Sequence, residues 1–392
     1  MPRLLIAATV SDTLRSFLAP FAEHFRSRGF RVDGLAREAA NDRDCAQSFD
    51  RLWNADWSRN PFKPSNFIGT PKRIRELVER EAYDIVHVHT PVAAFLTRYA
   101  LRKMRAAGKV RVIYTAHGFH FYKGGPAISG AIYRTLERIA GPWTDRLVVI
   151  NHEDEAAAIR HGFLPKEHVR YMPGIGVDTT KYAAGQVNSE QMDMIRRDLN
   201  LGPETVLFLM IAEFNPGKRH RDALRAFAQC GCANAVLALA GEGVLKPEMQ
   251  QLAQELGIAD RVRFLGFRRD IPTLIRVSRA VMLPSEREGL PRSLMESLSL
   301  GVPAIGCSIR GVADLLADGR GLLVPVGNPP ALASAIRQLA EHPDEAVAMG
   351  ERGRQAMKTY DLREIIRMHE ELYDEVLGIC AGDRSLVHAA SR

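Results

Sequence analysis

Short apolar runs, each followed by a stretch of helical length and mixed polarity, recur along the whole chain. In the first half they fall at residues 4–10, 85–89, 110–115, 146–150 and 169–172, and in the second at 205–212, 235–240, 262–265, 280–284 and 303–306. Runs of this length without polar alternation read as strands covered on both faces, the habit of parallel sheets. Parallel neighbours need helical crossovers, so the rhythm predicts an α/β protein with one doubly wound sheet in each half. Ligands of such sheets bind beyond the carboxyl ends of the strands.

The rhythm lapses twice. Pro173-Gly-Ile-Gly-Val-Asp178 and the polar stretch 185–193 predict a boundary, with domains over 1–178 and 179–361. A long helix is expected over 362–377 and a frayed tail after Gly378, making 362–392 a third segment. Residues 39–66, rich in Asp, Arg and Asn with Trp53 and Trp57, predict a long loop, either functional or an insertion whose tryptophans simply pack.

At 392 residues the chain exceeds one ordinary core, in keeping with two domains. No run approaches the roughly eighteen apolar residues of a membrane span, and Leu4-Leu-Ile-Ala-Ala-Thr-Val10 is too short for a signal peptide. Cys45, Cys230, Cys232, Cys307 and Cys380 are odd in number and lack C-x2-C spacing, so neither disulfides nor zinc is indicated and a reducing cytoplasm is expected. The net charge of +7 is uneven: residues 1–185 hold 28 Lys+Arg against 19 Asp+Glu, and the remainder 25 against 27. That excess reads either as a solvated face or as one meeting an anionic membrane surface or a diphosphate-bearing acceptor. No aromatic-basic pattern for nucleic acid accompanies it.

The chemistry concentrates after strand ends. Glu288-Gly-Leu-Pro-Arg-Ser-Leu-Met-Glu296 follows the run 280–284, and Pro291 suits a first helical turn. Glu288 then stands before a helix and Glu296 on its second turn, ~12 Å away if the spacing is helical. The N–H groups of Gly289 and Leu290 and the positive end of the helix favour a phosphate between them. Lys218 and Arg219 follow the run 205–212, and His117-Gly118 follows the run 110–115. His87 and His89 alternate on one strand and so share a face. No G-x-G-x-x-G follows the first strand, which argues against a dinucleotide oxidoreductase.

Glu288 to Glu296 resembles the E-x7-E signature of the retaining glycosyltransferases of family 4. Gly301-Val-Pro303, Asp314-Leu-Leu-Ala-Asp-Gly319, Gly321-Leu-Leu-Val-Pro325 and Gly327-Asn-Pro-Pro-Ala-Leu-Ala333 follow in that family's order. The resemblance covers nearly the whole chain and is strongest over 205–335. It implies the GT-B architecture, two Rossmann-like domains facing across a cleft, the first binding acceptor and the second a nucleotide sugar, with the last helix crossing back to the first. It implies Glu288 on the hexose hydroxyls, Glu296 on the ribose diol, Lys218 on the diphosphate and His117 at the sugar or the reacting oxygen.

Lys218 resembles the Lys of the family's G-R-x5-K-G motif. Here Glu213 stands for the usual Arg, with Arg219 as a substitute cation. Gly241 and Gly243 resemble the glycine turn near the nucleotide, and Phe267 and Arg268 the walls of the base pocket. Arg310 or Gly311, beyond the next strand, is a candidate to line the sugar-phosphate region, and His120 is a weaker site candidate. Trp57-Ser-Arg-Asn-Pro-Phe62 resembles a segment of the polysaccharide-biosynthesis branch. The expected reaction is transfer of a hexose or N-acetylhexosamine from a UDP-sugar to a lipid-linked or growing saccharide, without metal or other cofactor. A nucleotide-sugar epimerase or hydrolase and a silent sugar-nucleotide-binding subunit are the alternatives.

Overall fold

The computed structural model describes residues 1–57, 69–122 and 124–379. It divides into two compact units, one formed by residues 1–175 with the C-terminal segment from Ile365, the other by residues 176–364. The expected boundaries at 178 and 361 shift by three residues because the two crossing segments bind each other. Val177 N–H donates to the Tyr360 carbonyl (2.9 Å) and Leu362 N–H to the Val177 carbonyl (2.9 Å).

In the first unit seven strands form one parallel sheet: β1 (Arg3–Val10), β2 (Arg31–Arg37), β3 (Arg51–Asn54), β4 (Ile85–His89), β5 (Arg111–Ala116), β6 (Arg146–Val149) and β7 (Val169–Tyr171). Their order is β3-β2-β1-β4-β5-β6-β7, so the winding reverses between β1 and β4. Alternation along β4 decides its two faces: Val86 and Val88 enter the main core with Leu77, Leu96 and Leu101. His87 and His89 take the other side, where the helix Leu362–Leu377 lays Tyr373 and His369 against them.

The second unit repeats the plan with β8 (Val206–Ile211), β9 (Ala235–Ala240), β10 (Val262–Gly266), β11 (Ala280–Leu283), β12 (Ala304–Cys307) and β13 (Gly321–Val324). The order β10-β9-β8-β11-β12-β13 reverses between β8 and β11. Its inner strands β8, β9, β11 and β12 are apolar throughout because both faces are covered, by clusters built around Phe208 and Leu237 on one side and Leu209 and Leu298 on the other.

Residues 39–66 hold more order than a loop. Their described part contains the short helix Cys45–Ser48 and the edge strand β3. Both tryptophans pack: Trp57 is fully buried with its indole N–H on the Thr9 carbonyl (2.9 Å), and Trp53 donates to the Tyr83 hydroxyl (3.0 Å). The expectation for the segment 58–62 and the tail after Ile379, with Cys380, lie outside the described residues.

Candidate active site

In the second unit the site grows from the two strands that flank the reversal. After β8 the chain turns through Ala212–Asn215 into the short helix Pro216–Lys218, capped by the Asn215 side chain, which accepts from Lys218 N–H (3.2 Å). After β11 it runs through Pro284 and Ser285 to Glu288. Because β8 and β11 are neighbours, Lys218 Nζ and Glu288 Oε1 meet at 2.6 Å, and the Glu288 carboxylate is nearly buried. The Gly217 carbonyl accepts from Glu286 N–H (3.0 Å) and ties the two loops together.

The helix that follows, Arg292–Ser299, has Pro291 at its N-cap. Gly311 presses on the approach to it: with φ of +71°, it lies so close that a Cβ would stand 1.7 Å from the Gly289 carbonyl oxygen. Buried Arg310 donates from Nε to the Glu288 carbonyl (3.2 Å), so the residues expected to line a sugar-phosphate region hold the Glu288 loop from behind.

Glu296 lies on the second turn as expected and is 7% exposed. Arg292 Nε binds its Oε1 at 2.8 Å and the Tyr182 hydroxyl donates to it, partners the sequence reading did not foresee. Burial still raises its pKa from the ordinary glutamate value, outweighing Arg292 and Tyr182. Four-residue spacing to Arg292 was the available signal for one partner. Tyr182 sits 114 residues earlier in a segment without periodicity and gave none.

Other candidates are placed differently. Arg219 is a committed cation, bound to Asp222 (2.5 Å) and Glu286 (3.4 Å), so it does not substitute as an unpaired charge for the Arg that Glu213 replaces. Glu213 is exposed and accepts from Asn215 (3.0 Å). Gly241 and Gly243 are required by backbone packing: a Cβ on either would fall 2.1 Å from the Ala212 carbonyl oxygen or 2.6 Å from that of Phe214. Phe267 is 75% exposed and forms no wall of a closed pocket. Arg268 is engaged with Asp270 (2.7 Å) and Asp198 (3.1 Å) beside the edge strand β10. Ser285, directly after the strand end, has its hydroxyl buried without a hydrogen bond among the described residues. His220 is buried against Phe214, ring centroids 4.1 Å apart, and burial lowers its pKa to about 4.

The first unit gathers histidines at the carboxyl ends of β4 and β5. His117 Nε2 lies 2.9 Å from His89 Nδ1, and the rings of His87 and His89 stack at 4.3 Å. His87 bridges the Thr115 hydroxyl (2.7 Å) and the Tyr373 hydroxyl (2.6 Å). Gly118 takes φ of +109°, and the next N–H, of Phe119, donates to buried Asp154 (3.1 Å), itself fixed by Asn151 at the cap of the helix His152–Arg160. Burial lowers the pKa of His87, His89, His117 and His369, to about 4 for the last two, so the array is neutral at pH 7 and able to accept or donate single protons. Beside it Thr90 holds φ of +67°, a costly angle for a β-branched residue, with its hydroxyl 2.6 Å from that of Thr9 at the β1–β4 reversal. His120 instead packs its ring on Tyr133. Among the described residues no group of three His, Cys, Asp or Glu has the arrangement of a metal site.

A neutral imidazole in one unit and an ammonium–carboxylate pair before a helix start in the other are groups suited to sugar hydroxyls and phosphate. Two family comparisons coincide with these halves: Glycosyltransferase Family 4 matches residues 16–181 and Glycosyl transferases group 1 matches residues 191–356. The chain is a family 4 glycosyltransferase. EpsD of Bacillus subtilis (strain 168), assigned as a glycosyltransferase, is 29% identical over 389 residues, 98% of this chain and 99% of its own. The UDP-Gal:alpha-D-GlcNAc-diphosphoundecaprenol alpha-1,3-galactosyltransferase of Escherichia coli is 30% identical over 241 residues, 60% of each chain. Among solved structures, Anabaena HepE in complex with UDP-glucose superposes with a TM-score of 0.77 at 18% identity, covering 96% of this chain and 100% of its own. The transferase therefore has the GT-B fold, made of two Rossmann-like units.

Proposed function

We propose that this glycosyltransferase moves a hexose or N-acetylhexosamine from a UDP-sugar to a lipid-linked or growing saccharide in polysaccharide assembly, with retention of anomeric configuration and without a metal. The observation that carries the reading is the Lys218–Glu288 contact at the β8–β11 reversal. Displacing a nucleoside diphosphate builds positive charge on the sugar ring and negative charge on the leaving phosphate. An ammonium with three donors answers the second, and a carboxylate that accepts from ring hydroxyls the first. Glu296 offers its remaining acceptor sites to a ribose diol. UDP-glucose in HepE and the diphosphoundecaprenol acceptor of the E. coli relative support the choice of substrates.

The acceptor hydroxyl attacks the anomeric carbon on the face the phosphate leaves; the C–O bond to phosphate breaks, and the departing phosphate oxygen takes the hydroxyl proton. His117 orients that hydroxyl or a neighbouring one on the sugar. A panel of UDP-sugars with polyprenyl-diphosphate-linked acceptors, read by product mass and anomeric NMR coupling, tests the reading. An α-linked product formed equally in EDTA is expected. An inverted product, or activity lost in EDTA and restored by a divalent ion, would overturn the mechanism. UDP-sugar turnover without any acceptor would identify a hydrolase or epimerase.

A further inference from the structure

We propose that His89 is a positioning residue for the transfer: it fixes the ring and the tautomer of His117, so that Nδ1 is the nitrogen left to a substrate hydroxyl. This rests on the role proposed above for His117 and names what holds it. His87, His89 and Thr115 share one side of the paired strands β4 and β5, with His89 opposite Thr115, and His117 continues that side just past the end of β5. The main chain around His117 is already set, by Gly118 at φ of +109° and by the Phe119 N–H held on Asp154 (3.1 Å). The ring has one hydrogen bond among the described residues, between its Nε2 and His89 Nδ1 at 2.9 Å, with the two rings 5.2 Å apart. Two neutral imidazoles that meet in this way share a single proton between the facing nitrogens, so the tautomer of one dictates that of the other.

His89 has no freedom to turn away. It is buried and stacks at 4.3 Å on His87, which is itself pinned at both nitrogens by the hydroxyls of Thr115 (2.7 Å) and Tyr373 (2.6 Å). Packing does not account for this arrangement. The opposite side of β4 is filled by Val86 and Val88, and aliphatic side chains would fill the histidine side without the cost of burying imidazoles. That cost falls on the strand beside the winding reversal between β1 and β4, where a doubly wound sheet takes its ligand. A hydroxyl bound to a ring that rotates or exchanges tautomers spends time in unproductive orientations, and a ring already fixed removes that loss before the reaction starts.

The test compares His89→Phe, which keeps a ring on His87 but offers His117 no partner, with His89→Asn, whose amide stands in the place of Nδ1. Nitrogen NMR of the full chain at pH 7, without donor or acceptor, should show one His117 tautomer in the wild type and in His89→Asn, and a mixture in His89→Phe. With the UDP-sugar and polyprenyl-diphosphate-linked acceptor that react in the panel above, His89→Phe should lower kcat by about tenfold, the weight of one hydrogen bond, and His89→Asn should recover most of it. In a His117→Ala background, His89→Phe should change kcat by less than about twofold, because its effect passes through His117. A merely structural His89 would lower kcat equally in both backgrounds and would not be rescued by Asn. Either of those results, two His117 tautomers in the wild type, or one unaltered tautomer in His89→Phe would overturn the proposal. Wild-type turnover in His117→Ala would overturn the role of His117 and this proposal with it, whereas a slow His117→Ala beside an unaffected His89→Phe would overturn this proposal alone.

Discussion

At the scale of the residue, the two glutamates of the signature differ in what holds them, and the difference predicts how each fails. Glu288 faces Lys218, and its proposed contacts lie at the hexose, where charge develops during transfer. Glu288→Gln should lower kcat and blur sugar selection while leaving UDP affinity near wild type, because an interaction made chiefly in the transition state is the one lost. Glu296 is proposed to grip the ribose, which is held alike before and during reaction. A charge-assisted hydrogen bond of that kind contributes about 1.5–3 kcal/mol, so Glu296→Gln should weaken UDP by about tenfold or more in calorimetry. Its fold should survive: burial already disfavours the ionised form of Glu296, so a neutral amide relieves part of that cost. UDP affinity lost in Glu288→Gln and kept in Glu296→Gln would reverse the proposed donor orientation.

At the scale of the element, the glycines that shape the site loops separate strain from collision. Gly301 and Gly311 share a left-handed φ, +73° and +71°, but a Cβ on Gly301 meets only a flexible arginine carbon at 3.9 Å. Gly301→Ala should therefore cost about 1–2 kcal/mol, the ordinary penalty for the left-handed region. Gly311→Ala drives a methyl into the Gly289 carbonyl, so it should cost at least about twice that and displace the Glu288 loop, lowering turnover as well as the urea midpoint. Equal costs for the two would show that the Gly289–Gly311 approach yields freely. The sequence reading found ten strands because buried parallel strands are apolar throughout. It passed over β2, where Asp33 and Arg31 interrupt the run, and the four-residue strands β3 and β13. Asp33 is tolerated there because Arg31 (2.6 Å) and the Tyr83 hydroxyl (2.5 Å) satisfy it, a compensation visible only once distant segments meet. Lys218 and Glu288 were likewise legible one at a time as strand-end residues. That they touch follows from the β8–β11 adjacency, and that Arg219 is already paired follows from Glu286 arriving on the same loop.

At the scale of the whole molecule, titration divides the two units. The first holds four neutral histidines, buried His87, His89 and His369 and half-buried His117, all lowered chiefly by desolvation; the second holds one, His220. Each folded pKa lies below the unfolded value, so the unfolded chain binds more protons as the pH falls through about 6.5, and stability present above that value is lost on the way to about 4. A group held near 4 forfeits about 2 kcal/mol at pH 5 relative to pH 7. His117 and His369 alone thus remove a large part of a domain margin of about 5–15 kcal/mol, before His87 and His89 are added. The first unit should soften in mild acid well before the second. Trp53, Trp57 and Trp143, the chain's three tryptophans, all lie in the first unit, so indole fluorescence reports that unit selectively while far-UV circular dichroism reports both. Between pH 7 and pH 5 the fluorescence-detected urea midpoint should fall more than the later phase of the dichroism curve, and His369→Gln should reduce the fall. Coincident shifts of the two signals would mean that the array does not remain neutral in the folded protein.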